Sequence, residues 1–411
     1  EYLGSLLSIG EEIDRLIEST RILGTATAGP AARERILAAL RDFVRDHDQG
    51  EDLGLCSLAD QLGKGLRLVE MLGMKYDVIV ANPPYLGLGK ADADYAESIA
   101  ARYPLSKTDL YGVFIERCLQ LGRKNARIAM VTMQNFMFLG SFLELRELIF
   151  KQSRVAAVAH LGAYAFQELR DHALAAMFVL EAGAAGDNRA GLYQRHLFPK
   201  DKAGLLANQG AVFPFPQSRF AEIPGSPMIY WWPEEFRQAY LQAKKLVDKG
   251  VATVRQGLAT ANNDRFVKYY WEVRLENIEL ENSRSSKIHS CKKWYPYIKG
   301  AAGRRWVQPA EEIVLWRNDG QEIRNFFPFG SSKLASRPQA VEYYFMQGLA
   351  FSYIGTSGFL CRLRKFKSIF DVSGSSIFCK DPEKMQVILS SNLSGYVSQS
   401  INPTINNQVG D

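Results

Sequence analysis

Apolar residues recur at intervals of three and four from Glu11 to about Leu72: Ile13, Ile17 and Ile22, then Ile36, Leu40, Phe43 and Val44, with charges between them. That spacing predicts amphipathic helices with a break at Gly29-Pro30. The pattern changes at Tyr76–Ala81, a short apolar run closed by Asn82-Pro83-Pro84-Tyr85, where two prolines forbid further ladder pairing. A buried strand opening into a loop at its carboxyl end is expected. Helical periodicity returns from Asp109 to Leu121 through Leu110, Phe114, Ile115, Cys118 and Leu119, and a second strand is expected from Arg127 to Thr132. A helix from Leu143 to Phe150 and strands from Val155 to Leu161 and from Ala175 to Glu181 complete the alternation. Strand, helix, strand, helix, strand predicts an α/β fold with a parallel sheet covered on both faces. Ligands of such sheets sit beyond the carboxyl ends of the strands, where Asn82 to Tyr85 fall.

The periodicity fails from Gly183, and Gly, Pro and Ala accumulate as far as Pro233. The chain is therefore divided into a helical segment at 1–75, a core at 76–185, a connector at 186–233 and a second domain at 234–411. That last part opens with an amphipathic helix, Glu234 to Lys249, and continues with short β-like runs, so a mixed α+β domain is expected.

Composition narrows the class. Of 411 residues, 47% are hydrophobic and 23% charged, the balance of a globular protein and not of a disordered chain. No apolar run approaches the ~20 residues of a membrane-spanning helix. The first residue is Glu and no secretion signal follows it, so a start inside a longer protein is expected. Five cysteines without a C-x-x-C pair argue against a zinc ribbon or a disulfide framework and for a reducing compartment, the cytoplasm. The five histidines show no metal-ligand spacing, and no metal is assigned. No phosphate-binding G-x-x-x-x-G-K-[ST] loop or nuclease constellation of carboxylates and lysine is evident either.

The residue types of Asn82-Pro83-Pro84-Tyr85 carry a definite chemistry. An aryl amine is a poor nucleophile because its lone pair is delocalised into the ring, and a site that accepts both amine hydrogens helps that pair localise. The Asn82 side-chain oxygen and the Pro83 carbonyl, held by the stiff Pro-Pro pair, are two such acceptors. The Tyr85 ring offers a face for a flat base, worth ~1–3 kcal/mol. Four residues alone read equally as a turn after a strand; the strand before them and the α/β pattern after them favour the chemical reading.

At these residues the sequence resembles the S-adenosylmethionine-dependent amino-methyltransferases, and among them the adenine-specific DNA methyltransferases of bacterial BREX phage-defence systems. The likeness runs through Lys75–Gly87, Asp109–Phe114, Ala126–Thr132, Arg255–Thr260, Lys293–Gly300, Trp316–Gly320 and Asn402–Asp411, in the same order over most of the chain. It implies a Rossmann-like S-adenosylmethionine-dependent methyltransferase core with a helical N-terminal insertion, followed by a target-recognition domain that is partial here. It further implies methyl transfer to the exocyclic amine of adenine in double-stranded DNA, with catalytic residues Asn82, Pro83, Pro84 and Tyr85 and other phage-defence proteins as partners. The family's glycine-rich first motif and ribose-binding acid do not precede Asn82; Gly24–Gly29 reads as an interhelical turn, so no cofactor-binding residue is assigned.

Methylating a base in a duplex requires swinging it out, and a second aromatic wall beside Tyr85 is expected from Phe166. Between Arg284 and Arg305 seven basic residues occur with no Asp or Glu, interleaved with Trp294, Tyr295 and Tyr297 and followed by Trp306. That mixture predicts a DNA-binding surface that includes Lys292, Lys293, Trp294, Lys299, Arg304 and Arg305. Arg362 and Arg364, on one face of an alternating run, are expected to join it, and the amides of Arg255–Asp264 are able to read adenine edges or hold phosphates. Three rival readings stand beside this one. They are a protein-glutamine methyltransferase, which has no need of a basic second domain; the methyltransferase part of a fused restriction-modification enzyme; and a catalytically inactive DNA-recognition scaffold.

Overall fold

The computed structural model describes Leu6, Ile13 and residues 30–47, 53–166, 174–184, 189–197, 202–207, 212–246, 250–280, 292–300, 306–307, 309–327, 334–351 and 359–403. The chain forms two compact units, Glu1–Trp231 and Trp232–Asp411.

In the first unit, within the expected helical stretch, helices are present at Pro30–His47 and Leu53–Gly73, while Ile17, Ile22 and the turn at Gly24–Gly29 lie outside the described residues. Six strands form one sheet: β1 (Tyr76–Ala81), β2 (Gly122–Met133), β3 (Ser153–Gly162), β4 (Ala175–Ala182), β5 (Gly191–Arg195) and β6 (Val212–Phe215), in the order β1-β2-β4-β3-β5-β6. β1 runs parallel to β2, and β3 parallel to β5, while β4 lies antiparallel between β2 and β3. Strands β1, β2, β3 and β5 therefore share one direction, and their carboxyl ends open on one edge of the sheet. Two expectations are corrected. The sheet is not all parallel, since β4 is inserted in reverse, and the stretch at 186–233 is not a connector, since it supplies β5 and β6. What replaces periodicity there is an aromatic cluster in which Tyr193 meets Phe215, Phe220 and Tyr230.

The helix Leu110–Leu121 buries Leu110, Ile115, Cys118 and Leu119, as its spacing predicts, with Phe114 half-buried and Val113 buried besides, and Asp109 caps its start. β1 departs from expectation. Val78 and Val80 are 64% and 77% exposed, and among the described residues β1 pairs only with β2.

The second unit opens with the helix Glu234–Gln242. It then holds two four-stranded sheets made from β7 (Ala252–Arg255), β8 (Val267–Tyr269), β9 (Trp294–Ile298), β10 (Glu312–Leu315), β11 (Gly348–Phe351), β12 (Cys361–Arg364), β13 (Ile369–Phe370) and β14 (Ser376–Cys379). Their orders are β13-β9-β10-β8 and β12-β11-β14-β7. The core of the first of these sheets gathers Leu258, Phe266, Tyr295, Tyr297, Trp316 and Phe370. Gly257 makes one close approach possible: a Cβ there would stand 1.8 Å from the Phe370 carbonyl oxygen, which accepts from the Leu258 amide.

Candidate active site

β1 delivers Asn82 to the carboxyl edge of its sheet, with Asn82 exposed, Pro83 buried and the Tyr85 ring half-buried. The Tyr85 hydroxyl lies 3.1 Å from Asn82 Oδ1 and 3.3 Å from the Val131 carbonyl oxygen near the end of β2. One hydroxyl proton serves one acceptor at a time, so the two compete. Burial raises the Tyr85 pKa, so the phenol stays protonated and able to donate. Its ring meets the deeply buried Tyr111 edge-on at 6.2 Å, and Tyr111 in turn stacks on Phe142 at 5.4 Å.

The loop beyond Tyr85 is fastened to the start of the helix Leu110–Leu121. The Leu86 amide donates to Asp109 Oδ1 at 3.1 Å, the Leu110 amide to the Leu86 carbonyl at 3.0 Å, and the Leu88 amide to the Thr108 carbonyl at 3.3 Å. Asp109 Oδ1 also accepts from the Tyr111 amide at 3.3 Å. Burial raises the Asp109 pKa, and the amides of Tyr111, Leu86 and Leu110 oppose that shift. Sequence reasoning passed over Asp109. Its signals were an Asp directly before a helical pattern, which marks a cap, and its place at the head of Asp109–Phe114, one of the stretches that carry the resemblance.

Phe166 is half-buried at the carboxyl end of β3, on the same sheet edge as Asn82. Two residues earlier, Tyr164 presents an exposed ring from left-handed backbone (φ 59°), a candidate that the sequence reading missed. The same edge receives His160, buried, with Nε2 2.7 Å from Gln134 Oε1.

In the second unit Lys293 is exposed, Lys292 is half-buried, and Lys299 pairs with Glu312 at 2.9 Å. Trp294 is half-buried at the head of β9, whereas Tyr295 and Tyr297 point into the core, the Tyr297 hydroxyl donating to the Leu258 carbonyl or to Asp371. Arg304 and Arg305 lie outside the described residues, and Trp306 just after them is 61% exposed. Arg362 and Arg364 do share a face of β12, but both are 1% exposed, so neither can meet a phosphate. Arg364 donates to Ser376 Oγ and the Met346 carbonyl and lies against Phe370 and Phe378, and burial pulls its pKa down to about 9. These two are removed from the DNA-facing set. Two amide oxygens of Arg255–Asp264 are occupied as well: Asn262 Oδ1 caps the helix Asn263–Phe266, and Asn263 Oδ1 accepts from Thr260. Exposed aromatics occur instead at Tyr269, Tyr270 and Trp271, with Tyr269 and Trp271 stacked at 4.6 Å.

Among the described residues no group of three His, Cys, Asp or Glu side chains is placed to hold a metal ion. No helix among them is long and apolar enough to cross a membrane.

Residues 41–166 match the Eco57I restriction-modification methylase family, a span that includes Asn82–Tyr85 and Asp109. The adenine-specific methyltransferase PglX of Lacticaseibacillus casei (strain Zhang) is 29% identical over 357 residues, covering 84% of this chain and 30% of that protein. The adenine-specific methyltransferase BrxX of Escherichia coli O9:H4 (strain HS) is 28% identical over 409 residues, covering 96% of this chain and 32% of that protein. The chain thus spans about a third of the length of the curated relatives it matches. Among solved structures, the Type IIL restriction-modification enzyme MmeI in complex with DNA superposes with a TM-score of 0.50 at 11% identity, over 81% of this chain and 44% of that one, a likeness of fold. Along most of its length the chain is similar to the adenine-specific methyltransferases PglX and BrxX, and its residues 41–166 match the Eco57I restriction-modification methylase family.

Proposed function

We propose that the chain is part of a DNA adenine methyltransferase that moves a methyl group from S-adenosylmethionine to the exocyclic amine of an adenine in duplex DNA, marking host DNA within a phage-defence system. The observation that carries this reading is the placement of Asn82 Oδ1 at the open carboxyl end of β1, beside the Tyr85 hydroxyl and against a loop fastened to the next helix. The Asn82 side-chain oxygen and the Pro83 carbonyl accept the two amine hydrogens, which turns the amine lone pair toward the incoming methyl. Tyr85 holds the base by its face, and Phe166, on the same sheet edge, closes on the other side of a base swung out of the duplex.

S-adenosylmethionine, when bound, supplies an electrophilic methyl on a sulfonium. The residues present fit such a group, because carbonyl dipoles and an aromatic face attract positive charge, and Asn82, Pro83 and Tyr85 offer both. The common direction of β1, β2, β3 and β5, with β4 and the edge strand β6 reversed, supports the Rossmann-like reading of the core. Residues 234–411 are assigned to target recognition, with duplex DNA met by Lys292, Lys293, Trp294, Arg304 and Arg305, while Lys299, matched by Glu312, leaves that set; other proteins of the defence system are its partners.

Asn82→Ala is the decisive variant. It should remove most methyl transfer while DNA affinity stays within a few fold, since one acceptor among many contacts is lost. Methylated adenines are counted by genomic sequencing with and without the intact protein, and near-normal methylation by the variant would overturn the assignment.

A further inference from the structure

The loop that carries Pro83, Pro84 and Tyr85 has no strand ladder to hold it, because the prolines end β1. What holds it is the segment Thr108–Tyr111. Three backbone or side-chain bonds join Leu86 and Leu88 to residues 108–110, and the Thr108 hydroxyl donates to the Ser141 carbonyl at 2.8 Å on the far side. Asp109 is the centre of this clasp, for the same oxygen, Oδ1, receives the Leu86 amide from the loop and the Tyr111 amide from the first turn of the helix. The second of those residues, Tyr111, presents its ring edge to Tyr85 and is itself backed by Phe142. A single acceptor therefore fixes both the backbone just after Tyr85 and the ring that Tyr85 leans on.

From this geometry, and resting on the methyltransferase reading above, we infer that Asp109 is a positioning residue for methyl transfer: its Oδ1 sets the place of the Tyr85 ring and, through the Tyr85 hydroxyl, the direction of the Asn82 oxygen. Asp109 touches neither base nor methyl donor in this role. What the reaction requires of it is an oxygen acceptor at one point, not a charge and not a proton. An asparagine keeps that oxygen and an alanine does not.

The test compares wild type, Asp109→Ala and Asp109→Asn in the full-length protein, on duplexes carrying the methylated site found by genomic sequencing. Three quantities are read: the single-turnover methylation rate at saturating DNA and S-adenosylmethionine, the DNA affinity, and the fluorescence of 2-aminopurine at the target position. Asp109→Ala should slow the rate by roughly 10–100-fold, as a misplaced reacting group does. Its DNA affinity should stay within about twofold, the mark of an interaction made only in the transition state. The 2-aminopurine should brighten, because a swung-out base is no longer quenched on Tyr85, and Asp109→Asn should restore rate and quenching to near wild type. A wild-type rate in Asp109→Ala would overturn the role, and so would an Asp109→Asn as slow as the alanine variant, or a rate loss matched by an equal loss of DNA affinity. Should Asp109→Ala not fold, Tyr111→Leu decides, since it removes the ring edge behind Tyr85 while keeping an apolar filling: a slowed rate with brightened 2-aminopurine upholds the relay, and unchanged values overturn it. Absence of methylation by wild type overturns the methyltransferase reading and this inference together, whereas equal methylation by wild type and alanine variant overturns the inference alone.

Discussion

The hydroxyl of Tyr85 stands 3.1 Å from Oδ1 of Asn82, three residues back along the chain, so the residue that offers a ring to a base also offers a proton to the acceptor beside it. The carbonyl oxygen has a second lone pair, and a donor on the first fixes which way the amide points. Removing only the hydroxyl separates the two roles. Tyr85→Phe should keep the stacking face and lower the methylation rate by about 2–10-fold, the kinetic equivalent of one neutral hydrogen bond. Tyr85→Ala should lower it further and leave 2-aminopurine at the target unquenched. Equal rates in wild type and Tyr85→Phe would show that the hydroxyl does not orient Asn82 and bonds only Val131.

The site was legible where composition and spacing act locally. A β-branched run stopped by two prolines can be little other than a strand opening into a loop, and that placed Asn82. Helical spacing likewise found the buried face of Leu110–Leu121. Strand direction is not local, and nothing in Ala175–Ala182 records that it enters the sheet in reverse between β2 and β3. Arg362 and Arg364 were misread because charge argues for the surface, whereas both are buried, and the planar head of Arg364 lies against Phe370 and Phe378 with a carbonyl and a hydroxyl as acceptors. Tyr295 and Tyr297 looked like partners of the neighbouring lysines for the same reason: alternation along β9 and burial on both its faces appear only once the strand has neighbours on each side. In Trp316–Gly320, Asn318, Asp319 and Gly320 all take left-handed backbone, as these residue types tolerate best, but nothing local records that Gly320 comes to lie against the Trp316 ring.

Glu181 on β4 faces Arg127 on β2 and Arg154 on β3, and its Oε2 lies 2.6 Å from Arg154 Nη2. The hydrogen bond from Arg154 and the positive charges around it hold the Glu181 carboxyl below the usual carboxylate range. A depressed carboxylate adds stability that is present above its unfolded pKa, about 4.3, and is lost as pH falls through the folded value. Glu181→Gln keeps an oxygen that accepts from Arg154 but removes the carboxylate charge, so it should lower stability at neutral pH. The difference from wild type should shrink below about pH 4. Urea unfolding at a series of pH values reads both, and a constant difference across the series would remove Glu181 from the acid response.

His160 gives a second acid response in another window. Burial, with Arg195 and Lys202 near it, pushes its pKa down to about 3. The folded protein holds it neutral while the unfolded chain protonates it near pH 6.5, so its contribution is complete above about 6.5 and falls as pH drops toward the folded value. The slope is about 1.4 kcal/mol per pH unit for one proton. His160→Gln should flatten stability against pH between about 6 and 4, at a fixed cost from repacking around Gln134. An unaltered slope in that variant would assign the acid lability to other groups, His196 first, whose pKa burial also lowers.

Lys293 and Lys299 stand on the same short stretch with different surroundings, and the contrast tests where DNA lies on the second unit. Lys293 is exposed, whereas the Lys299 ammonium is 2.9 Å from Glu312 and partly covered. A lysine that neutralises a phosphate releases roughly one counterion, so losing one such contact flattens the slope of log affinity against log salt by about 0.9. Lys293→Ala should show that change on every duplex sequence, because a phosphate contact carries no sequence information. Lys299→Ala should leave the slope unchanged, since its charge is already matched within the protein, and should weaken folding by less than about 1 kcal/mol as partly exposed pairs do. Trp306→Ala separates stacking from packing at the same surface: a ring 61% exposed contributes little to folding, so thermal stability should hold while affinity falls by ~1–3 kcal/mol if a base stacks there. A slope that responds to Lys299 and not to Lys293 would move the DNA-facing side of this strand to the face that Glu312 occupies.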